Sequence, residues 1–254
     1  MVDRLAAAGC LAAEEEAGEL SAAAPDAETL ERWVHRREQG EPLPWITGAM
    51  SFCGRPVHID RGVYVPRVQS EELACLAAGR LPPQGGRAAD LCTGSGAVAA
   101  HLAAERPAAN VIGVDIDRRA VACARRNRVP AMLGDLGRPL RSDAFDVVTA
   151  VAPYVPTGAL HLLPTDVQRH EPRPALDGGG DGLELVRRVV ADAARLLRLG
   201  GWLLVELGGD QDRELQPALA AAGFDTVTPW FDEDGDLRGA AARATAAVES
   251  GLTN

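Results

Sequence analysis

The chain has 254 residues, a formal net charge of −10 at pH 7 and 46% hydrophobic residues, enough for one large domain with a smaller one attached. No apolar run approaches the ~18 residues of a membrane-spanning helix. Glu14, Glu15 and Glu16 lie where an export signal would be basic and then apolar. The negative charge argues against sequence-independent nucleic-acid binding, which needs a basic surface. We therefore expect a cytoplasmic protein with neither a membrane nor a nucleic-acid partner.

The cysteines and histidines show no spacing that is typical of metal ligands. The cysteines are odd in number, and none forms a C-x-x-C pair: Cys10, Cys53, Cys75, Cys92 and Cys123. Such a pattern favours buried, reduced thiols over disulfides or a metal centre. We therefore expect no metal site.

The first 44 residues are rich in Ala and Glu, with apolar residues at helical spacing. Pro25-Asp26 divides them into two predicted helical pieces, and Asp26 is expected to cap the second. Residues 45–66 are rich in β-forming side chains interrupted by glycines, which predicts a β-hairpin. A further helix is predicted near 69–80.

From Arg87 onward, predicted strands and helices alternate with short turns. The predicted strands cover 88–91, 110–115, 131–133, 145–150, 202–207 and 224–228, and the predicted helices 97–105, 118–127, 183–199 and 212–222. Residues 155–181 read as a long loop, and the tail after 240 is expected to fray. This alternation predicts an α/β fold whose parallel sheet is covered on both faces.

The end of the first of these strands carries the strongest functional signal. Asp90 is followed by Leu-Cys-Thr-Gly94-Ser-Gly96 and then a predicted helix, and the next strand ends at Asp115. Glycines let the backbone approach a ligand, and an acid at the second strand end can accept hydrogen bonds from ribose hydroxyls. The third glycine of a dinucleotide fingerprint is missing, because Ala99 occupies its position. The shorter motif points to S-adenosylmethionine (SAM), which has no pyrophosphate.

Three further positions extend this predicted site. Asp115 ends its apolar run directly, whereas Asp117 is placed to cap the following helix. Asp135 follows the third strand, where its carboxylate could accept from the adenine amino group and the Leu136 backbone could pair with the ring edge; an ordinary turn is the alternative. The strand 145–150 leads to Pro153-Tyr154, beside the expected methyl donor or in a surface loop.

These motifs together resemble the protein-(glutamine-N5) methyltransferases, the HemK-like family that modifies release factors and a ribosomal protein. The resemblance rests on Glu41-Pro42-Leu43, Ile46-Thr47-Gly48, Val65-Pro66-Arg67, Asp90–Gly96, Asp146–Tyr154, Glu171–Leu176 and Gly182-Leu183. It implies a Rossmann-like SAM-dependent methyltransferase sheet at 67–254, a small N-terminal helical domain at 1–44 that recognises the substrate, and a β-hairpin linker at 45–66.

Two motifs depart from the family pattern. The family's N-P-P-Y is Val151-Ala152-Pro153-Tyr154 here, and its R-P-[DE]-T-E is Arg67-Val68-Gln69-Ser70-Glu71. In the family, the Asn oxygen and the next backbone carbonyl accept both hydrogens of the substrate amide and orient its nitrogen. Val151 has no acceptor, and Glu171, Thr149 and Gln69 are candidates to replace it.

The expected site therefore combines a catalytic turn with a cofactor pocket. The expected catalytic residues are Val151, Ala152, Pro153, Tyr154 and Glu171. The expected SAM-binding residues are Arg67, Asp90, Cys92, Thr93, Gly94, Gly96, Asp115, Ile116, Asp135 and Leu136.

The leading hypothesis is SAM-dependent methylation of a glutamine amide in a protein substrate, such as a release factor or a ribosomal protein. Methylation of a small molecule is one alternative. A non-catalytic SAM-binding interaction module is another. Methylation of a nucleic-acid base is a further one, since N-P-P-Y-type sites also act on base nitrogens, but the negative charge argues against it.

Overall fold

The computed structural model describes residues 1–245. Its strands are β1 (Ala49–Phe52), β2 (Arg55–His58), β3 (Gly86–Leu91), β4 (Ala109–Asp115), β5 (Ala131–Leu133), β6 (Phe145–Ala150), β7 (Leu197–Glu206), β8 (Phe224–Phe231) and β9 (Leu237–Ala244). Its α-helices are α1 (Val2–Ala7), α2 (Ala13–Ala23), α3 (Ala27–Glu38), α4 (Leu43–Thr47), α5 (Ser70–Arg80), α6 (Ala97–Glu105), α7 (Arg118–Arg126), α8 (Thr165–His170), α9 (Glu184–Leu196) and α10 (Gln211–Ala221). None of these helices is both long and apolar enough to cross a lipid bilayer.

Seven strands form one sheet in the order β5-β4-β3-β6-β7-β9-β8. The first five of these are parallel, whereas β9 runs antiparallel to both of its neighbours. The predicted α/β fold with a largely parallel sheet is confirmed. Because parallel strands point the same way, the carboxyl ends of β3, β4 and β6 lie along one edge, where this fold class binds ligands.

Helices cover both faces of the sheet. Successive strand side chains point to opposite faces, and apolar side chains on both faces must be buried. Val147 and Leu204 point to one face, where they pack with α5, α6, α7 and the β1–β2 hairpin. Val148 and Leu203 point to the other, where they pack with α9 and α10. Near-continuous apolar strands such as β6 follow from burial on both faces.

The N-terminal region forms three helices rather than the two predicted, because Gly9 and its neighbours interrupt the first piece. These helices share a small core with α4 that includes Leu5, Leu20, Val34 and Ile46. The side chain of Asp26 caps α3 by accepting from the Thr29 N–H at 2.7 Å, as predicted.

Two predictions for the segments that flank the sheet were wrong in detail. Trp45 and Ile46 were predicted in the hairpin but lie in α4, where Pro44 favours the first helical turn. The hairpin itself is present, with β1 and β2 paired antiparallel. The long loop at 155–181 contains the short helix α8, which begins directly after Pro164.

The last strands differ most from the sequence prediction. The helix predicted at 183–199 ends at Leu196, and β7 begins at the next residue. The chain after 240 was expected to fray, but β9 continues to Ala244 between β7 and β8. Its run of alanines has low β-propensity, and burial in the sheet overrides that preference. The rest of the predicted tail, 246–254, lies outside the described residues.

Candidate active site

A glycine turn joins β3 to α6 at the carboxyl edge of the sheet. Gly94 and Gly96 have φ angles of +56° and +80°, which side chains other than glycine rarely adopt. A Cβ on Gly96 would lie 3.0 Å from Ala124 of α7, whereas the space around Gly94 is open. The turn therefore packs closely on its inner side and leaves its backbone accessible at Gly94.

Asp90 stabilises this turn through hydrogen bonds of its buried carboxylate. Its carboxylate accepts hydrogen bonds from the Thr93 and Thr149 hydroxyls at 2.6 and 2.7 Å, and the residue is only 2% exposed. Burial raises the pKa of Asp90 to about 6, the two hydroxyls oppose this shift and the charge of Asp115 adds to it. Cys92, adjacent to the turn, has φ of +57°, and burial raises the pKa of its thiol.

Asp115 lies at the end of β4, beside the same turn. One of its oxygens accepts from the Gly94 N–H and the other from the Asp117 N–H, both at 2.9 Å. Each oxygen keeps a lone pair for a further donor. Burial raises the pKa of Asp115. Ile116 follows with 73% of its surface exposed, so an apolar side chain borders the acid.

Asp135 and Leu136 follow β5 along the same edge. Arg188 of α9 donates to both oxygens of Asp135 at 2.6 and 2.8 Å, so this carboxylate is already paired. Leu136 is buried, and no hydrogen bond within residues 1–245 uses its N–H. The structure therefore brings all the sequence-predicted strand-end residues to one edge, and Leu136 offers the free backbone donor.

The turn after β6 holds Val151, Ala152, Pro153 and Tyr154. The Tyr154 hydroxyl donates to Glu206 at 2.8 Å, and the second Glu206 oxygen accepts from the Ser70 hydroxyl at 2.5 Å. Burial raises the pKa of Glu206, although both hydroxyls oppose this shift. Glu206 thus fixes the tyrosine ring between the sheet and α5.

Sequence reasoning missed Glu206 and Ser70. Glu206 ends the apolar run of β7, which is the same signal that identified Asp90 and Asp115. Ser70 carries no comparable signal, because its role depends on where α5 packs.

Arg67 and Glu171 form an ion pair beside this turn. The guanidinium of Arg67 donates to Glu171 at 2.6 Å and lies 5.0 Å from the centre of the Tyr64 ring. Glu171 is buried, which raises its pKa, and the charge of Arg67 opposes that shift. Glu171 lines neither of the cavities at the turn, and its contact with them is through Arg67.

Two cavities meet at the Val151–Tyr154 turn. A small one is bordered by the glycine turn, including Asp90 and Gly94. A larger one of about 700 Å³ lies between the N-terminal helices and the turn, and α8 forms part of its wall. Tyr64 and Val151 line both cavities and therefore separate the expected donor side from the expected acceptor side.

Residues 88–169 match a family model described as a methyltransferase domain. The chain is 39% identical over 197 residues to the release factor glutamine methyltransferase of Geobacter sulfurreducens, covering 75% of this chain and 69% of that relative. The enzyme of the same name from Moorella thermoacetica is 40% identical over 199 residues, covering 75% and 70%. This chain belongs to the release factor glutamine methyltransferase family. It is a SAM-dependent methyltransferase.

Solved structures confirm the fold of this family member. The T. thermophilus 16S rRNA N2 G1207 methyltransferase in complex with AdoMet and guanosine has a TM-score of 0.53 and 22% identity, covering 78% of this chain and 44% of that one. Mtq2 in the E. cuniculi Mtq2–Trm112 complex, described as responsible for methylation of the eRF1 translation termination factor, has a TM-score of 0.55 and 21% identity, covering 72% and 99%.

The residues at the carboxyl edge fit SAM. Gly94 has open space beside its backbone, Asp115 has free lone pairs, and Leu136 has an N–H that no other group in residues 1–245 uses. If SAM binds here, Gly94 would allow close approach of its amino-acid portion, Asp115 would accept from the ribose hydroxyls, and the Leu136 N–H would donate to the adenine edge.

Proposed function

We propose that this enzyme methylates the side-chain amide nitrogen of a glutamine in a protein, and that the protein is a peptide-chain release factor. The observation that carries the proposal is the pair of cavities that meet at Tyr64 and Val151. When bound, SAM supplies an electrophilic methyl group and leaves as S-adenosylhomocysteine. The enzyme must present the nitrogen in line with that methyl group, and one amide proton passes to solvent.

The Ala152 carbonyl is the proposed acceptor for one amide hydrogen. No hydrogen bond within residues 1–245 uses this oxygen, and Ala152 lines the large cavity. An amide nitrogen is a poor nucleophile because its lone pair is delocalised, so its orientation matters. Val151 supplies no side-chain acceptor for the second hydrogen.

The other candidate acceptors are poorly placed for direct contact. Thr149 is fully buried and donates its hydroxyl to Asp90. Gln69 is exposed at the start of α5 and lines neither cavity. Glu171 holds Arg67, which does line the large cavity. We therefore assign Glu171 a positioning role, through Arg67, instead of a direct contact with the amide.

The outer wall of the large cavity favours a protein substrate. It includes the loop between α1 and α2, where the Leu11 side chain is fully exposed. A protein substrate docked over this opening would bury the Leu11 side chain. A small molecule held deep in the cavity would leave Leu11 in water.

The test measures transfer of tritiated methyl groups from SAM to purified release factors. Leu11→Ser should raise KM at least about 10-fold with little change in kcat, because a leucine buried on docking contributes roughly 1.5–3 kcal/mol. The matched control is Leu199→Ser, the same substitution at another exposed leucine, early in β7. Transfer to small acceptors only, with equal kinetics for both variants, would instead identify a small-molecule enzyme.

A further inference from the structure

Three side chains of metal-ligand type meet beside the hairpin, away from the methyl-transfer site. Cys53 occupies the turn between β1 and β2, Cys75 lies in α5, and His101 lies in α6. One ligand atom from each lies within 4.8 Å of the others, and Cys75 Sγ is 3.8 Å from His101 Nε2. Tetrahedral Zn²⁺, with bonds of about 2.3 Å to sulfur and 2.0 Å to nitrogen, places such ligand atoms about 3.5–3.8 Å apart.

Within residues 1–245, His101 has no hydrogen-bond partner outside this cluster. His101 is only 7% exposed, and its Nδ1 has no hydrogen-bond partner in the part of the chain that the structure describes. The other ring nitrogen, Nε2, faces Cys75 Sγ and is the one placed to bind an ion. Cys75 is exposed, so the cluster has a path for the entry of an ion.

Cys53 occupies a backbone position that cysteine rarely adopts. It and Gly54 form the two-residue hairpin loop, with φ of +49° and +69°. Asn-Gly is the preferred pair for a loop of this geometry. The Cys53 N–H is held by the Glu71 carboxylate at 2.8 Å, which fixes the thiol over α5. Cysteine is therefore not the preferred residue for this turn, but its thiol is well placed to bind an ion.

The charges around the cluster also suit a divalent cation. Two thiolates neutralise one divalent ion, so the resulting centre carries no net charge into a partly buried site. Glu71 contacts the Cys53 backbone, while Glu105 is paired with Arg55 at 3.1 Å. Thiolate and imidazole ligands favour zinc over the hard ions magnesium and calcium.

We propose that Cys53, Cys75 and His101 bind one zinc-like divalent ion, with water as the fourth ligand. Binding releases the two thiol protons to solvent. The ion joins the hairpin to α5 and α6 and so holds Phe52, which precedes Cys53 and borders the small cavity at the glycine turn. This site is separate from the proposed methyl transfer and does not depend on it.

The experiment titrates the reduced, metal-free full-length protein with Co²⁺ and then with Zn²⁺. We expect one equivalent of Co²⁺ to give thiolate-to-metal charge-transfer absorption, which Zn²⁺ then displaces. Cys75→Ser should weaken binding by at least about 10-fold, since even outer-shell changes cost that much. Cys10→Ser, at a cysteine in the N-terminal core, should bind like the unmodified chain.

A second variant separates metal binding from folding. Cys53→Asn creates the favoured Asn-Gly turn, so without metal it should melt at or above the temperature of the unmodified chain. Zn²⁺ should raise the melting temperature of the unmodified chain and leave that of Cys53→Asn unchanged. The proposal is overturned if Zn²⁺ stabilises both proteins equally, if no thiolate absorption appears, or if Cys53 and Cys75 form a disulfide in place of binding metal.

Discussion

At the scale of single residues, Asp115 both stabilises the glycine turn and is a proposed ligand of the ribose. It holds the Gly94 N–H and the Asp117 N–H, and its remaining lone pairs face the proposed ribose position. Asp115→Ala should weaken SAM binding at least about 10-fold, because hydrogen bonds to a charged group each contribute roughly 1.5–3 kcal/mol. Calorimetric titration with SAM and with S-adenosylhomocysteine measures this loss.

The control for that variant lies two residues further along the chain. Asp117 caps α7 by accepting from the Arg119 N–H at 2.8 Å and contributes no proposed ligand contact. Asp117→Ala should lower the stability by about 1 kcal/mol and leave the SAM affinity within about 2-fold. Equal losses of affinity in the two variants would mean that Asp115 acts only through the fold.

Val151 is the residue at which this chain differs from the N-P-P-Y pattern. An amide hydrogen left without an acceptor costs about 1–3 kcal/mol, which corresponds to roughly 10- to 100-fold in rate. Val151→Asn should therefore increase kcat/KM on a release-factor glutamine by about 10-fold or more. Tritium incorporation at equal enzyme concentration measures the gain, and no gain on any glutamine substrate would contradict the missing-acceptor interpretation.

Single residues were predictable from sequence where a local rule applied to them. Asp90 and Asp115 end apolar strands, and Gly94 lies in the glycine turn before α6, so their positions follow from chain order alone. Cys53, Cys75 and His101 come from three elements, and only packing brings their ligand atoms together. No spacing rule could have shown that, which is why the sequence indicated no metal site.

At the scale of elements, β9 fits between its neighbours because most of its residues are small. A Cβ on Gly239 would lie 2.1 Å from the Trp230 ring and 2.4 Å from the Val205 carbonyl oxygen. Gly239→Ala should therefore lower the free energy of unfolding by about 1–3 kcal/mol or more, as overpacking does. Urea denaturation measures the change.

The matched control for this substitution is Gly79→Ala. Gly79 lies inside α5, and within the described residues a Cβ added there would meet no atom closer than 4 Å. Alanine should therefore stabilise the helix by about 0.5–1 kcal/mol. If Gly239→Ala were as harmless as Gly79→Ala, the placement of β9 between β7 and β8 would be wrong.

Elements were predictable in proportion to the strength of their apolar pattern. β5 and β6 match the predicted ranges because β-forming or apolar runs end at glycine or at the Val151–Tyr154 turn. β9 and α8 were missed, since an alanine-rich strand and a six-residue helix between prolines lack any clear periodicity.

At the scale of the whole molecule, several carboxyl groups are buried at one edge of the sheet. Burial raises the pKa of Asp90 to about 6 from its usual 3.8, and it also raises the pKa values of Asp115, Glu171 and Glu206. Between pH about 4 and about 6 the folded protein therefore binds more protons at Asp90 than the unfolded chain. This contribution to stability is complete below about pH 4 and is lost as the pH rises through 6.

Asp90→Asn tests this pH dependence without SAM. The unmodified chain should lose stability relative to the variant as the pH rises from about 4 to about 7, by on the order of 3 kcal/mol. Chemical denaturation at several pH values gives the difference in the free energy of unfolding between the two proteins. The contributions of the carboxyl groups that both proteins retain cancel in this difference. Parallel curves would show that Asp90 titrates normally in the fold.

The order of the last strands has a consequence for how the chain folds. Within the described residues β8 pairs only with β9, and the two are joined by a short turn. Strands so close in sequence form a hairpin in microseconds, faster than long-range pairings form. We therefore expect the β8–β9 hairpin to form first and then to dock onto β7, whose edge is open to pairing with another chain until that step.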